Sequence, residues 1–172
     1  YDKIKGGVRN KQTAQGYADE SSWARGQAWA LYGYTVCYRE TKDMRYLKQA
    51  EKVYNYLFTH KNMPDDLIPY WDFDAPDIPN EPRDASAAAI TASALYELYT
   101  YNNNPEYKKT ADKIISSLSS PAYLALVGTN GNFVLMHSVG SIPHNQEIDV
   151  PLNYADYYFL EALARKINLE KK

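Results

Sequence analysis

The sequence lacks the features that mark disulfide-bonded or membrane-spanning chains. Its 172 residues include one cysteine, Cys37, which excludes an internal disulfide. Cys37 lies in an apolar helical pattern, which predicts a small buried thiol. No apolar run approaches the ~20 residues that span a bilayer. The amino-terminal residues also lack the apolar stretch of a signal peptide, so the sequence predicts no membrane partner.

The sequence also lacks an excess of positive charge. Its 19 Lys and Arg residues oppose 21 Asp and Glu residues, for a net charge of −2, and no basic stripe is interleaved with the aromatics. This balance argues against a nucleic-acid partner. No glycine-rich phosphate loop is present, because Gly6 and Gly7 stand alone and Gly128–Gly131 precedes no predicted helix. His137 and His144 have no second ligand at a metal-like spacing, so no metal site is predicted.

A repeat of 61 residues organises what is present. Equivalent positions carry similar residues, namely Ala28 and Ala89, Tyr38 and Tyr99, Tyr46 and Tyr107, Ala50 and Ala111, Val53 and Ile114, and Leu57 and Leu118. Each repeat has the pattern of two helices joined by a polar turn. With 45% hydrophobic residues, the chain can build a core as a single domain over residues 1–172.

The pattern predicts an all-α fold made of helical hairpins. The predicted helices span about residues 21–41, 43–60, 84–101, 105–119 and 152–167. Asp43 is the expected N-cap of the second helix, and Pro105 fits the first turn of the fourth. An Asn-Gly turn at residues 129–131, between two apolar runs, predicts a short β-hairpin. Three inner helices cannot close a ring, so the chain is either an open arc or part of a larger toroid.

Two tryptophans and an arginine form the first candidate site. If a helix begins near Ser22, Arg25 and Trp29 are four residues apart and Trp23 lies just upstream, so all three face one side. Aromatic rings stack on sugar rings, and a guanidinium can donate two parallel hydrogen bonds to a carboxylate. The pattern therefore predicts a surface for a carboxylated sugar. The alternative is that both indoles are packing residues and Arg25 is a structural ion pair.

Two further segments are predicted to lie at the same mouth. The repeat aligns Trp23 with Asp84, so both should begin adjacent inner helices. Between them, residues 63–82 form a proline-rich loop whose length suggests a role beyond connection. Its carboxylates, Asp72 and Asp74, could serve acid/base chemistry, but turn-capping is the favoured interpretation. Asp84 is similarly interpreted as an N-cap that clamps the loop together with its neighbour Arg83.

These residues resemble those of the unsaturated glucuronyl hydrolases, glycoside hydrolase family 88. The resemblance covers nearly the whole chain and is carried by Gln15–Trp29, Tyr32–Tyr34, Tyr38–Thr41, Pro69–Phe73, Ala75–Pro76, Arg83–Ala88, His137–Gly140 and Asp156–Leu163. It implies that the chain is the carboxyl-terminal part of an (α/α)6 toroid. It further implies hydration of the C4=C5 double bond in unsaturated glucuronyl disaccharides derived from glycosaminoglycans. No cofactor is implied, and the compartment would be the bacterial cytoplasm or periplasm.

The resemblance also assigns site residues. Gln15, Trp23, Arg25 and Trp29 correspond to residues that line the sugar subsite, whereas the family's catalytic aspartates would lie upstream of Tyr1, so no catalytic residue is assigned. His137, Ser138 and Ser141 are further substrate-binding candidates, because they could form hydrogen bonds to a hydroxyl or anionic group. The spacing of these two serines resembles that in family members that accept sulfated sugars. The basic residues those members carry are replaced here by Ala14 and Pro143, which makes a sulfated substrate less supported.

Two other functions stay open from the sequence. One is an unsaturated rhamnogalacturonyl hydrolase, which would act on a pectic disaccharide. The other is a carbohydrate-binding helical-repeat module without chemistry. If the chain is part of a ring, the partial ring would expose apolar inner-helix surface. Self-association is therefore expected, and the isolated chain is expected to lack hydrolase activity.

Overall fold

The computed structural model describes residues 1–171 and, within them, contains five α-helices and one two-stranded sheet. The helices are α1 Ala24–Thr41, α2 Met44–Thr59, α3 Ala85–Asn102, α4 Pro105–Leu118 and α5 Asn153–Glu170, and the strands are β1 Ser138–Ser141 and β2 Gln146–Val150. All five predicted helices are confirmed, with bounds that differ by at most a few residues. Over the same residues, no helix combines the length and apolar character needed to cross a bilayer.

The 61-residue repeat is confirmed as a repeat of helical hairpins. Helices α3 and α4 begin 61 residues after α1 and α2, respectively. Lys42 and Asn103, also 61 residues apart, end α1 and α3 in left-handed conformations, with φ of 57° and 54°. The Asp43 carboxylate accepts a hydrogen bond from the backbone N–H of Arg45 and caps α2 as predicted.

The three helices α1, α3 and α5 lie side by side and are called the inner helices, while α2 and α4 pack behind them as outer helices. The central inner helix, α3, is buried without interruption from Ala85 to Leu98. Its small side chains let both neighbours approach closely, and a helix that is apolar on every side must be covered on every side. The amino-terminal ends of all three inner helices meet at one end of the molecule.

The flanking inner helices are less covered. Helix α5 exposes three large apolar side chains, Tyr157, Leu160 and Ile167. The self-association expected from such a surface remains a prediction. On α1, the buried positions include Ala28, Leu31 and Thr35, and Cys37 lies off that stripe. The prediction that Cys37 is buried was therefore wrong, since the thiol is only half-buried.

The predicted Asn-Gly β-hairpin forms only in part. The chain reverses at residues 129–131, and its two arms meet in an antiparallel bridge between Leu124 and Leu135 but form no extended strands. The Asp156 carboxylate accepts hydrogen bonds from the backbone N–H groups of Val134 and Leu135, at 2.8 Å each, and so removes donors from strand pairing. The antiparallel pair that does form is β1 with β2, in which Val139 faces Ile148 and Ser141 faces Gln146.

Candidate functional site

The proline-rich loop at residues 63–82 connects the starts of two inner helices. The backbone N–H of Ala24 donates to the carbonyl of Trp71 at 3.0 Å, and that of Asp84 donates to the carbonyl of Pro69 at 2.8 Å. Much of the loop is buried, including Trp71, Asp72 and Phe73. The loop therefore fixes the spacing of α1 and α3 at the mouth, the shared amino-terminal end of the inner helices.

The loop carboxylates serve the backbone, as the turn-capping interpretation predicted. One Asp72 oxygen accepts hydrogen bonds from the N–H of Tyr17 at 2.9 Å and from the Ser21 hydroxyl at 2.7 Å. Its other oxygen accepts from the N–H of Asp74 at 2.9 Å. Asp74 in turn accepts from the N–H of Ser22 at 3.0 Å. Both carboxylates are committed to holding the segment that precedes α1 against the loop.

Arg25 is buried in the wall of the mouth. Its side chain is 4% exposed, and Nη1 lies 3.1 Å from Oδ2 of Asp84. The guanidinium also donates to the backbone carbonyls of Val139 and Gly140 on β1. The structural ion pair, given above as the alternative role of Arg25, is thus present. It joins α1, the start of α3 and the hairpin into one unit.

Asp84 caps α3, as predicted. Its Oδ1 accepts hydrogen bonds from the N–H of Ser86 at 3.0 Å, from the Ser86 hydroxyl at 2.6 Å and from the N–H of Ala87 at 3.4 Å. Complete burial raises the pKa of the Asp84 carboxyl, and Arg25 together with these donors acts in the opposite direction. The neighbouring Arg83 forms an ion pair with Asp66 and so clamps the loop.

Trp23 lies against Arg25 at the start of α1, and Trp29 lies one helical turn further along the same helix. Helix α1 begins at Ala24, one residue after Trp23, which is its N-cap. The Trp23 ring centroid is 4.8 Å from the Arg25 guanidinium. A further turn along, the Trp29 ring packs edge-on against Tyr158 of α5, with the ring centroids 5.1 Å apart. Both indoles are half-buried, so each ring keeps an accessible part.

Gly26 determines where the Trp23 indole lies. A Cβ atom at residue 26 would be only 2.7 Å from Cε3 of Trp23, a distance at which one of the two would have to move. The absence of a side chain at Gly26 therefore lets the indole rest on the first turn of α1, beside the guanidinium of Arg25.

The remaining predicted residues lie on or against the hairpin. Gln15 is half-buried, and its Nε2 donates to the carbonyl of Gly140 at 3.1 Å. Nδ1 of His137 lies 2.6 Å from a carboxylate oxygen of Asp149. The Ser141 hydroxyl lies 2.7 Å from Nδ1 of His144. The Ser138 hydroxyl is buried and has no hydrogen-bond partner within residues 1–171.

The structure thus brings Gln15, Trp23 and Arg25 together with the hairpin, while Trp29 lies one turn deeper along α1. Direct binding of sugar by any of these side chains remains a prediction. Within residues 1–171, no group of three or more His, Cys, Asp or Glu side chains is arranged to hold a metal ion.

Two residues at the mouth were missed by the sequence analysis. Tyr154, in the first turn of α5, has its ring centroid 5.5 Å from the Arg25 guanidinium. Burial raises the pKa of Tyr154. Glu147 lies against Gly140, whose carbonyl accepts hydrogen bonds from Gln15 and Arg25. Tyr154 precedes Tyr158 by four residues, the same spacing as Arg25 and Trp29. That spacing is the sequence signal that could have identified it.

The chain has clear relatives among known proteins, although no protein-family model matches it. Over 169 residues it is 55% identical to an unsaturated glucuronyl hydrolase of Formosa agariphila, a match that covers 98% of this chain and 42% of that protein. It is 34% identical over 157 residues to an unsaturated chondroitin disaccharide hydrolase of Streptococcus agalactiae, covering 89% of this chain and 39% of that protein.

Solved structures show the same relationship. The fold matches an unsaturated glucuronyl hydrolase specific for heparin with a TM-score of 0.97 and 50% identity, covering 100% of this chain and 47% of that one. It matches a D175N mutant of the Streptococcus agalactiae unsaturated glucuronyl hydrolase, complexed with dGlcA-GalNAc6S, with a TM-score of 0.81 and 34% identity. That match covers 96% of this chain and 45% of the mutant enzyme.

These matches confirm the resemblance to the unsaturated glucuronyl hydrolases and the fold class of helical hairpins forming part of an (α/α)6 toroid. The chain spans less than half the length of the relatives described above.

Proposed function

We propose that this relative of the unsaturated glucuronyl hydrolases supplies the substrate-binding mouth of a glycoside hydrolase that acts on unsaturated glucuronyl disaccharides from glycosaminoglycans. The observation that carries the proposal is the position of Arg25, beside the rings of Trp23 and Tyr154 where the three inner helices meet. We further propose that the chain is the carboxyl-terminal portion of such an enzyme.

The chemistry of the mouth suits an acidic sugar. Arg25 uses three of its five N–H donors on Asp84, Val139 and Gly140, which leaves Nε and one hydrogen of Nη2 for a uronate carboxylate. The rings of Trp23 and Tyr154 provide apolar faces for stacking against the sugar. Gln15, held by the carbonyl of Gly140, keeps its amide oxygen available as an acceptor for a sugar hydroxyl.

The proton chemistry is proposed to lie on polypeptide outside this chain. The reaction requires a carboxylic acid that protonates C4 and then activates water for addition at C5; the resulting hemiketal opens and releases the second sugar. Asp72, Asp74 and Asp84 are occupied by backbone amides, hydroxyls or a guanidinium, so none of them is free for this role. The mouth described here binds and orients, and the complete enzyme performs the hydration.

Paired measurements test the proposal. Calorimetry should show that the purified chain binds an unsaturated chondroitin disaccharide, while the ultraviolet absorbance of its double bond stays constant. A longer protein that includes the coding sequence upstream of Tyr1 should remove that absorbance. Loss of absorbance with the chain alone would overturn the placement of the acid. Binding without turnover by the longer protein would instead indicate a non-catalytic module, and turnover of only the rhamnogalacturonyl disaccharide would indicate the pectic hydrolase.

A further inference from the structure

A carboxylate lies at the mouth in a place that the hairpin is shaped to hold. In the register of β1 with β2, Gly140 stands opposite Glu147. A Cβ atom at residue 140 would lie 2.6 Å from the Cβ of Glu147 and closer still to its Oε2. The missing side chain of Gly140 therefore lets the Glu147 side chain lie across the backbone of β1.

The backbone under Glu147 belongs to the proposed binding surface. The carbonyl of Gly140 accepts hydrogen bonds from Nε2 of Gln15 and from the Arg25 guanidinium. The charge of Glu147 also acts on the Tyr154 hydroxyl, together with the charge of Arg25. Glu147 thus lies against the strand whose carbonyl holds Gln15 and Arg25, two of the residues assigned to the sugar.

Glu147 is available to a ligand. It is exposed, and it forms no hydrogen bond or ion pair with any residue within the described range 1–171. Its backbone is left-handed, with φ of 52°, a conformation that non-glycine residues adopt at an energetic cost. The hairpin therefore maintains an unfavourable backbone conformation at the residue that presents this carboxylate beside the mouth.

We propose that Glu147 is a specificity residue that accepts a hydrogen bond from a free sugar hydroxyl and excludes a sulfate group at the same position. The proposal rests on the proposed function, because it assumes that the mouth binds an unsaturated disaccharide. A carboxylate is acceptor-only when ionised, so it pairs well with a hydroxyl. It repels a sulfate group, and like charges placed against each other are a common source of selectivity. The preferred substrate is then a disaccharide that is unsulfated on the sugar next to Gly140.

The test compares the dissociation constants of two probes, an unsaturated chondroitin disaccharide and its 6-O-sulfated form, by calorimetry with the purified chain. The wild-type chain should bind the unsulfated probe more tightly. Glu147→Gln keeps the shape and removes the charge, so the preference for the unsulfated probe should fall by about fivefold, the size of one repulsion between fully hydrated unit charges about 4 Å apart. Glu147→Lys should reverse the preference. Glu106→Gln, an exposed carboxylate on α4, is the matched control and should leave both constants unchanged.

The salt dependence of the two dissociation constants distinguishes charge repulsion by Glu147 from a purely structural role. Raising the ionic strength should reduce the preference of the wild-type chain for the unsulfated probe, because salt screens the repulsion between Glu147 and the sulfate group. The preference of Glu147→Gln should not change, since this variant lacks the charge. Equal or tighter binding of the sulfated probe by the wild-type chain, or a preference unchanged in both Glu147 variants, would overturn the assignment of Glu147 alone. Binding of neither probe would overturn the assignment of the mouth itself.

Discussion

The two ends of the inner helices carry similar charges in different surroundings. At the amino-terminal end, the side chains of Arg25 and Asp84 are 3.1 Å apart and only 4% and 0% exposed. At the carboxyl-terminal end, Glu97 of α3 lies 2.7 Å from Arg165 of α5 and 3.3 Å from Arg39 of α1. There the carboxylate is 9% exposed, but the arginines are 19% and 43% exposed.

The difference in exposure distinguishes the buried ion pair at the mouth from a partly exposed ion-pair cluster that holds the inner helices together. At the mouth, both charges have left water, so each depends on the other and on the carbonyls of the hairpin. At the far end, solvent reaches the arginines and weakens the attraction. Glu97 also accepts a hydrogen bond from the Tyr101 hydroxyl at 2.7 Å, so this cluster sets the register of the three inner helices. Substituting one carboxylate in each cluster measures how much solvent exposure reduces the contribution of the ion pairs to stability.

The largest expected effect comes from Asp84→Asn. The substitution keeps the size of the side chain but leaves the Arg25 guanidinium buried without a counter-charge. We expect the free energy of unfolding to fall by about 3–5 kcal/mol. Urea denaturation of the chain, followed by circular dichroism, measures the loss.

Asp65→Asn is the matched control for this prediction. Asp65 is an exposed carboxylate in the same loop region, and its replacement should change stability by at most about 0.5 kcal/mol. If Asp84→Asn cost no more than Asp65→Asn, the buried pair would not be holding the mouth together.

A smaller effect is expected from Glu97→Gln at the other end. Three donors lose a charged acceptor, but water can solvate the released arginines. We expect a loss of about 2 kcal/mol in the same denaturation experiment. Glu40→Gln, which removes a 66%-exposed carboxylate paired with Arg39, is the control and should have little effect. A loss as large as that of Asp84→Asn would show that exposure does not distinguish the two clusters.

The sequence predicted those parts of this comparison that depend on local rules. Helices, the repeat and the caps at Asp43 and Asp84 follow from side-chain spacing and from the backbone donors at helix starts. The repeat also predicted that Arg25 and Asp84 lie at the same end of adjacent inner helices, but the ion pair between them became evident only in the structure.

The hairpin part of the mouth could not be predicted in the same way. The Asn-Gly signal was outweighed by a tertiary contact, since Asp156 takes the backbone donors of Val134 and Leu135. Strand β2 carries alternating polar and apolar residues from Glu147 to Val150, but only the close packing of Gly140 against Glu147 shows its importance for the mouth. The spacing of Tyr154 and Tyr158 indicates that they share one face of α5, but the packing of α5 on α3 brings that face to the mouth, and this tertiary contact has no local signal.

Two glycines of α1 allow the packing at the mouth to be compared with the packing in the middle of the helix. A Cβ atom at Gly33, in the middle of α1, would have no neighbour within 4 Å, whereas one at Gly26 would meet the Trp23 ring at 2.7 Å. Gly33→Ala should raise stability by up to about 1 kcal/mol through helix propensity. Gly26→Ala gains the same propensity but displaces the indole, so we expect it to be about 1–2 kcal/mol less stable than Gly33→Ala. Thermal unfolding of both variants measures the difference, and equal stability would mean that the indole is not fixed by Gly26.

The smallest effect concerns the acid dependence of stability. Asp112 on α4 accepts hydrogen bonds from Lys108, from the Tyr96 hydroxyl and from Lys166, at 2.7, 2.7 and 3.0 Å, respectively. Burial raises the pKa of Asp112, but these three partners outweigh burial, and the pKa lies below its ordinary value. The native carboxylate thus binds a proton less tightly than the unfolded one does. Its contribution is complete above the unfolded pKa of about 3.9 and is lost as the pH falls through the lower native pKa.

Asp112→Asn tests this acid dependence and extends the comparison of the two ends. The gap in urea midpoint between wild type and variant should be constant above about pH 5 and should shrink below about pH 4, as the wild-type carboxylate becomes protonated. A gap independent of pH over this range would contradict the lowered pKa. Asp112 is 32% exposed, so its hydrogen bonds and ion pairs outweigh the effect of burial on its pKa, and acid weakens its contribution to stability.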